Sequence, residues 1–142
     1  MSAEAGDPRA NIAVVSQVYE TAARGAADEM LALMDDDIRI VLPEALPYGG
    51  TYRGKQGVRD LGAKLYAAWS EFRYEVLRYM TGDDCVAAVI ELKSLARATG
   101  RQVHMPIAEV FRLRGGLVIE IQAFYFDSAQ AARAFQVGSG GA

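Results

Sequence analysis

The chain has 142 residues, a length at which folding buries roughly two-thirds of the unfolded surface around one core. Its net charge of -3 comes from 15 basic and 18 acidic residues spread along the sequence, so no concentrated positive field exists to hold nucleic acid or an anionic membrane surface. A single cysteine, Cys85, excludes an internal disulfide, and no apolar run approaches the roughly 20 residues that span a bilayer. These features point to one domain over residues 1–137, with a flexible tail at 138–142. The acidic opening MSAEAGDPRA is unlike a secretory signal, and the expected location is the cytoplasm.

Asp7-Pro8 reads as a helix cap followed by proline, and Ile12, Val15, Tyr19 and Ala22 recur at helical spacing until Gly25. Residues 28–34 predict a short second helix, which Asp35-Asp36-Asp37 ends. Ile38 to Leu42 is a β-branched run closed by Pro43 and predicts a strand. The stretch 43–57 is rich in turn residues and aromatics and reads as a structured loop. Helical spacing resumes from Lys55 to Trp69 through Val58, Leu61 and Leu65. Four extended segments follow at 72–80, 85–98, 102–112 and 117–126, separated by short Gly/Asp turns that make an antiparallel meander. Strands this long bend, and helices laid over their concave face enclose a pocket. Ser128 to Phe135 predicts a last short helix.

Three helices, a strand after the second and a four-strand meander resemble the nuclear transport factor 2-like superfamily, in particular its SnoaL-like polyketide cyclase and ketosteroid isomerase relatives. The segments that carry the resemblance are Leu46-Pro47-Tyr48-Gly49-Gly50-Thr51-Tyr52-Arg53-Gly54, Met105-Pro106-Ile107-Ala108-Glu109-Val110-Phe111-Arg112 and Phe124-Tyr125-Phe126-Asp127. The likeness runs from about Val14 to Asp127. It implies a cone-like α+β barrel, three N-terminal helices packed on a curved, mainly antiparallel mixed sheet.

The resemblance also places Glu109 where ketosteroid isomerases carry a carboxylic acid that donates to the substrate oxygen. A carboxyl in an apolar pocket has its charged form disfavoured, so it serves as a hydrogen-bond donor or general acid; a neutral carboxyl in a ketosteroid isomerase is a known instance of this. The competing reading is a solvated glutamate or one paired with Arg97 or Arg112. Where the isomerases carry their proton-shuttling aspartate this chain has Leu42, and their helix tyrosine falls at Val18, beside Tyr19. Ile121, Ala123 and Tyr125 share one strand face by period two, and by resemblance that face looks into the pocket. Asp127 has the same parity and is a candidate base, or else the cap of the last helix. His104 is the one histidine; alternation sets it opposite Glu109 unless Pro106 resets the parity. Tyr48 before Gly49-Gly50 reads as a lid or a turn residue. Trp69, with Phe72, Tyr66 and Met80, reads as core or pocket wall.

The expected activity is cofactor-independent acid/base chemistry, of the cyclase or isomerase type, on a hydrophobic carbonyl-bearing small molecule. Glu109, Tyr125, Asp127 and His104 are its catalytic candidates, and Tyr48, Tyr19, Leu42, Trp69, Ile121 and Ala123 its ligand contacts. No metal or cofactor is called for, because no Cys/His spacing or phosphate loop occurs. A non-catalytic module that binds a small hydrophobic ligand is the alternative. An epoxide hydrolase, which the resemblance also admits, lacks a convincing Asp-Arg-Asp set around Arg53 or Arg97. Apolar residues on both faces of long strands predict a homodimer through the sheet.

Overall fold

The computed structural model describes residues 6–138, so the expected tail lies, beyond Gly138, outside the described residues. Helix α1 (Pro8–Ala23) begins where Asp7 Oδ1 accepts the Arg9 N–H at 3.1 Å, and it ends before Gly25, whose φ of 72° suits a residue without Cβ. After α2 (Ala27–Leu31) come β1 (Met34–Leu42), β2 (Gly50–Arg53), α3 (Gly54–Ala68) and β3 (Trp69–Glu71). The meander follows as β4 (Tyr74–Gly82), β5 (Cys85–Ala96), β6 (Gln102–Arg114) and β7 (Leu117–Tyr125), and α4 (Ser128–Arg133) closes the order as a fourth helix. None of the helices among the described residues is long and apolar enough to cross a membrane.

The seven strands form a mixed sheet in the order β2-β1-β7-β6-β5-β3, with β4 also paired to β5. Only the β1–β7 ladder is parallel. At 12 and 13 residues β5 and β6 are about twice the usual strand length. The sheet curls, and α1 covers β4, β5 and β7 while α3 covers β1, β2 and β3. Even positions of β5, from Val86 to Ala96, and odd positions of β6, from Val103 to Leu113, face the helices, and all but Glu109 are buried.

Several local expectations change. The buried stripe of α1 is Asn11, Val15, Val18 and Thr21, which leaves Tyr19 half-buried at its edge and Ala22 exposed. Asp35 to Asp37 does not end α2, which stops at Leu31, but lies inside β1, where the register with β7 shifts between Met34 and Arg39 and Asp35 meets Arg114 at 3.6 Å. Strands β2 and β3 are too short to show a period of their own; pairing with β1 and β5 draws them in. Tyr66 and Met80 are not wall residues, being 78% and 50% exposed. On α3 one residue turns a side chain by about 100°, which carries Tyr66 away from Leu65. On β4 a bulge after Val76 sends Tyr79 inward and Met80 out.

The loop from Pro43 to Gly49 is held by close packing. Tyr48 is fully buried, and its carbonyl accepts the Tyr52 hydroxyl at 2.9 Å. A Cβ on Gly49 would lie 2.1 Å from the Pro43 carbonyl oxygen and 2.8 Å from Glu44 Cα, backbone atoms that no rotamer change moves. Gly49→Ala is therefore expected to lower unfolding free energy by about 1–3 kcal/mol in a denaturant titration. Gly62→Ala is the contrast: its Cβ meets nothing within 4 Å in the middle of α3, and a gain of about 0.5–1 kcal/mol is expected.

Candidate functional site

One row of inward positions crosses the sheet as Tyr79, Ala88, Glu109 and Ala123. The small side chains opposite Glu109 on both neighbouring strands leave its carboxyl room, and α1 lays Tyr19 over it. The Tyr19 hydroxyl donates to Glu109 Oε1 at 2.5 Å. Tyr19 packs edge-on against Phe111 and at a tilt against Tyr74, each 5.6 Å between ring centroids. Glu109 is enclosed by protein atoms and yet keeps accessible surface, as do Tyr19 and Tyr125.

Among the described residues no cation pairs with Glu109. Arg97, one of its expected partners, donates to the carbonyls of Tyr66 and Trp69, each at 2.8 Å. Arg112, the other, reaches Glu120 at 3.4 Å on the outer face. Burial therefore pushes the Glu109 carboxyl above its ordinary range, and the Tyr19 hydrogen bond offsets part of that rise. Burial likewise pushes the Tyr19 phenol up, reinforced by the charge and hydrogen bond of Glu109. Tyr74 is pushed up to about 12, by burial first and then by Glu109. The rings around the acid thus stay neutral near neutral pH.

A second polar group lies one inward position along β7. Tyr125 pairs with Ile107, and its hydroxyl lies 2.7 Å from that of Tyr48. Tyr48 is thus a buried partner rather than a lid. Trp69 is 2% exposed, tilted against Tyr48 with centroids 6.1 Å apart and stacked on Phe72 at 5.9 Å. Phe135, just past α4, meets Trp69 edge-on at 4.8 Å.

The remaining candidates separate from this interior. β6 keeps an unbroken register with β5 through Pro106, so no bulge resets the parity, and His104 faces outward to Glu91 at 2.6 Å. Asp127 caps α4, accepting the Gln130 N–H at 3.0 Å. Leu42, Ile121 and Ala123 are each 7% exposed in the core. Sequence reasoning missed Tyr74 and Tyr79 and undervalued Tyr19. Its half-apolar, half-polar ring beside the helix stripe was the one available signal. Among the described residues no three His, Cys, Asp or Glu side chains gather as a metal site. Two surface hollows lie against α2 and α3, the more apolar one lined by Met30, Leu31 and Val58 among others, and neither touches Glu109.

A curled mixed sheet closed by helices defines the cone fold of the nuclear transport factor 2-like class. The SnoaL-like domain family matches residues 15–121, and the chain belongs to that family. Solved structures share the fold. A nuclear transport factor 2-like protein of unknown function from Burkholderia pseudomallei is 21% identical, with a TM-score of 0.83 over 90% of this chain and 98% of that one. A proposed SnoaL-like polyketide cyclase from Jannaschia sp. CCS1 is 17% identical, with a TM-score of 0.81 over 98% and 100%. A hypothetical protein with a ketosteroid isomerase-like fold from Catenulispora acidiphila, in complex with trimethylamine, is 18% identical, with a TM-score of 0.64 over 76% and 81%. Among curated proteins no match is found.

The raised Glu109 carboxyl has a consequence for stability. Between its ordinary and its raised pKa the folded state binds a proton that the unfolded state has lost, so stability falls as pH rises through that interval. Glu109→Gln removes the titration and keeps an acceptor for Tyr19. Its stability relative to the native protein is expected to climb with pH, by about 1.4 kcal/mol per unit of displacement, then level off. Thermal melts from pH 4 to pH 8 check this.

Proposed function

We propose that the chain is a cofactor-independent acid/base enzyme acting on a hydrophobic, carbonyl-bearing small molecule in the hollow beneath Glu109. The observation that supports it is an interior carboxyl with no counter-charge among the described residues, oriented by one tyrosine hydroxyl. A neutral Glu109 donates to the substrate carbonyl, and charge developing on that oxygen is stabilised by a donor already in place. In an intramolecular aldol closure the carbonyl oxygen takes the Glu109 proton as the new carbon–carbon bond forms. The acidic C–H of the nucleophilic carbon gives its proton to water, and water returns one to Glu109. Among the described residues Leu42 and the outward His104 supply no side-chain base beside Glu109, so water takes the C–H proton in cyclase and isomerase chemistry alike.

A non-catalytic ligand-binding module is the second reading, and the same lack of an interior base among the described residues favours it. The 1,5-diketone 2,6-heptanedione separates the two. The enzyme reading expects accelerated ring closure, measured by chromatography, and a loss of roughly 10²–10⁴-fold in Glu109→Gln. A bound diketone that is never converted supports the module, and unchanged turnover in the variant removes Glu109 from the mechanism.

We also propose a homodimer through the outer sheet face, in the cytoplasm where the lone thiol of Cys85 stays reduced. Met80 and Phe124 are 50% and 49% exposed on that face, an apolar cost that a second copy removes. Light scattering at micromolar concentration is expected to give twice the chain mass, and the chain mass for Phe124→Glu.

A further inference from the structure

Among the described residues the indole N–H of Trp69 is out of contact with water and has no acceptor in good hydrogen-bonding geometry. It lies beside the Tyr48 hydroxyl, close enough to offset some of that phenol's burial but outside good hydrogen-bonding geometry. Tyr48 and Tyr125 share a single hydrogen bond between two hydroxyls, so one of their O–H groups is also left over. Burial pushes both phenols up, which keeps them as neutral donors. Two donors without acceptors therefore meet in one apolar corner, and buried donors of this kind ask for a partner.

We propose that Trp69, Tyr48 and Tyr125 bind a second oxygen of the ligand, a neutral acceptor remote from the carbonyl held at Glu109. The assignment rests on the hollow being a small-molecule site. A carboxylate is disfavoured here, because the corner is apolar and neighbours another acid. Tyr125 and Glu109 occupy diagonal inward positions on β7 and β6, whose backbones lie roughly 7–8 Å apart, so the two anchors are separate points of one ligand. The substrate class is thus a compact apolar molecule with oxygen functions at opposite ends, about the span of a fused bicycle. The Phe135 ring, edge-on to Trp69, has to part from the indole for the oxygen to arrive. Phe135 follows the short α4, which Thr99 ties down by its hydrogen bond to the Ala134 carbonyl.

Trp69 is the sole tryptophan, so its indole N–H gives one resolvable signal in a nitrogen–proton correlation spectrum of the full chain. Tetralin, 1-tetralone and 6-methoxy-1-tetralone are the probes, with binding read rather than conversion. A downfield indole shift with 6-methoxy-1-tetralone and none with tetralin is expected. Trp69→Phe, which keeps the ring stack, is expected to weaken 6-methoxy-1-tetralone on the order of tenfold and leave tetralin unchanged. Binding of the methoxy ketone with no indole shift overturns the second anchor while sparing the proposed activity. An indole signal that is already slow to exchange and unmoved by all three probes means that a bound water satisfies it, and also overturns the proposal. No ketone binding at all overturns both this assignment and the reading of the hollow. The wild-type shift decides the matter if Trp69→Phe fails to fold.

Discussion

Glu109 is a carboxyl largely enclosed by protein and, among the described residues, without an opposing charge, and the rest of the interior is arranged around that fact. An isolated carboxylate in an apolar medium is costly enough that the group shifts its pKa rather than ionise. One hydrogen bond from Tyr19 offsets part of the cost. That bond joins α1 to β6, elements 90 residues apart in sequence. The seating of the helix on the sheet and the protonation of the acid are therefore coupled. Ala88 and Ala123 complete the arrangement by giving the carboxyl space that larger side chains would take.

Charge is segregated across the sheet. The outer face carries the Arg39–Glu120 and Arg112–Glu120 contacts and the His104–Glu91 pair, where water screens them. The inner face carries phenols, an indole and one acid, all held toward their neutral forms by burial. A low-dielectric interior of neutral donors is suited to a carbonyl compound and poorly suited to a charged substrate. The same segregation explains why the histidine, the usual proton carrier near neutral pH, contributes nothing inside.

The long strands, their turns and the parity of Glu109, Ile121, Ala123 and Tyr125 were legible in the sequence, because a period of two needs no knowledge of partners. The family motifs completed the cone. What stayed hidden depends on contacts between distant segments. The depth of Tyr48 follows from the close approach of Gly49 to Pro43. The inward turn of Tyr79 follows from a bulge on β4. Tyr19 lies beside the position that the family likeness marked, and only the seating of α1 brings its hydroxyl to the acid. His104 and Asp127 were open alternatives that strand register and helix capping resolve.

Burial holds Glu109 toward its neutral form, and the Tyr19 hydrogen bond opposes this. A carbon-13 NMR titration of side-chain carboxyls tests it most directly, with Glu109→Gln identifying the resonance. Its midpoint is expected above those of the exposed glutamates, moving higher still in Tyr19→Phe, where the offsetting hydrogen bond is lost. A midpoint among the exposed glutamates, or one that falls in Tyr19→Phe, would contradict it.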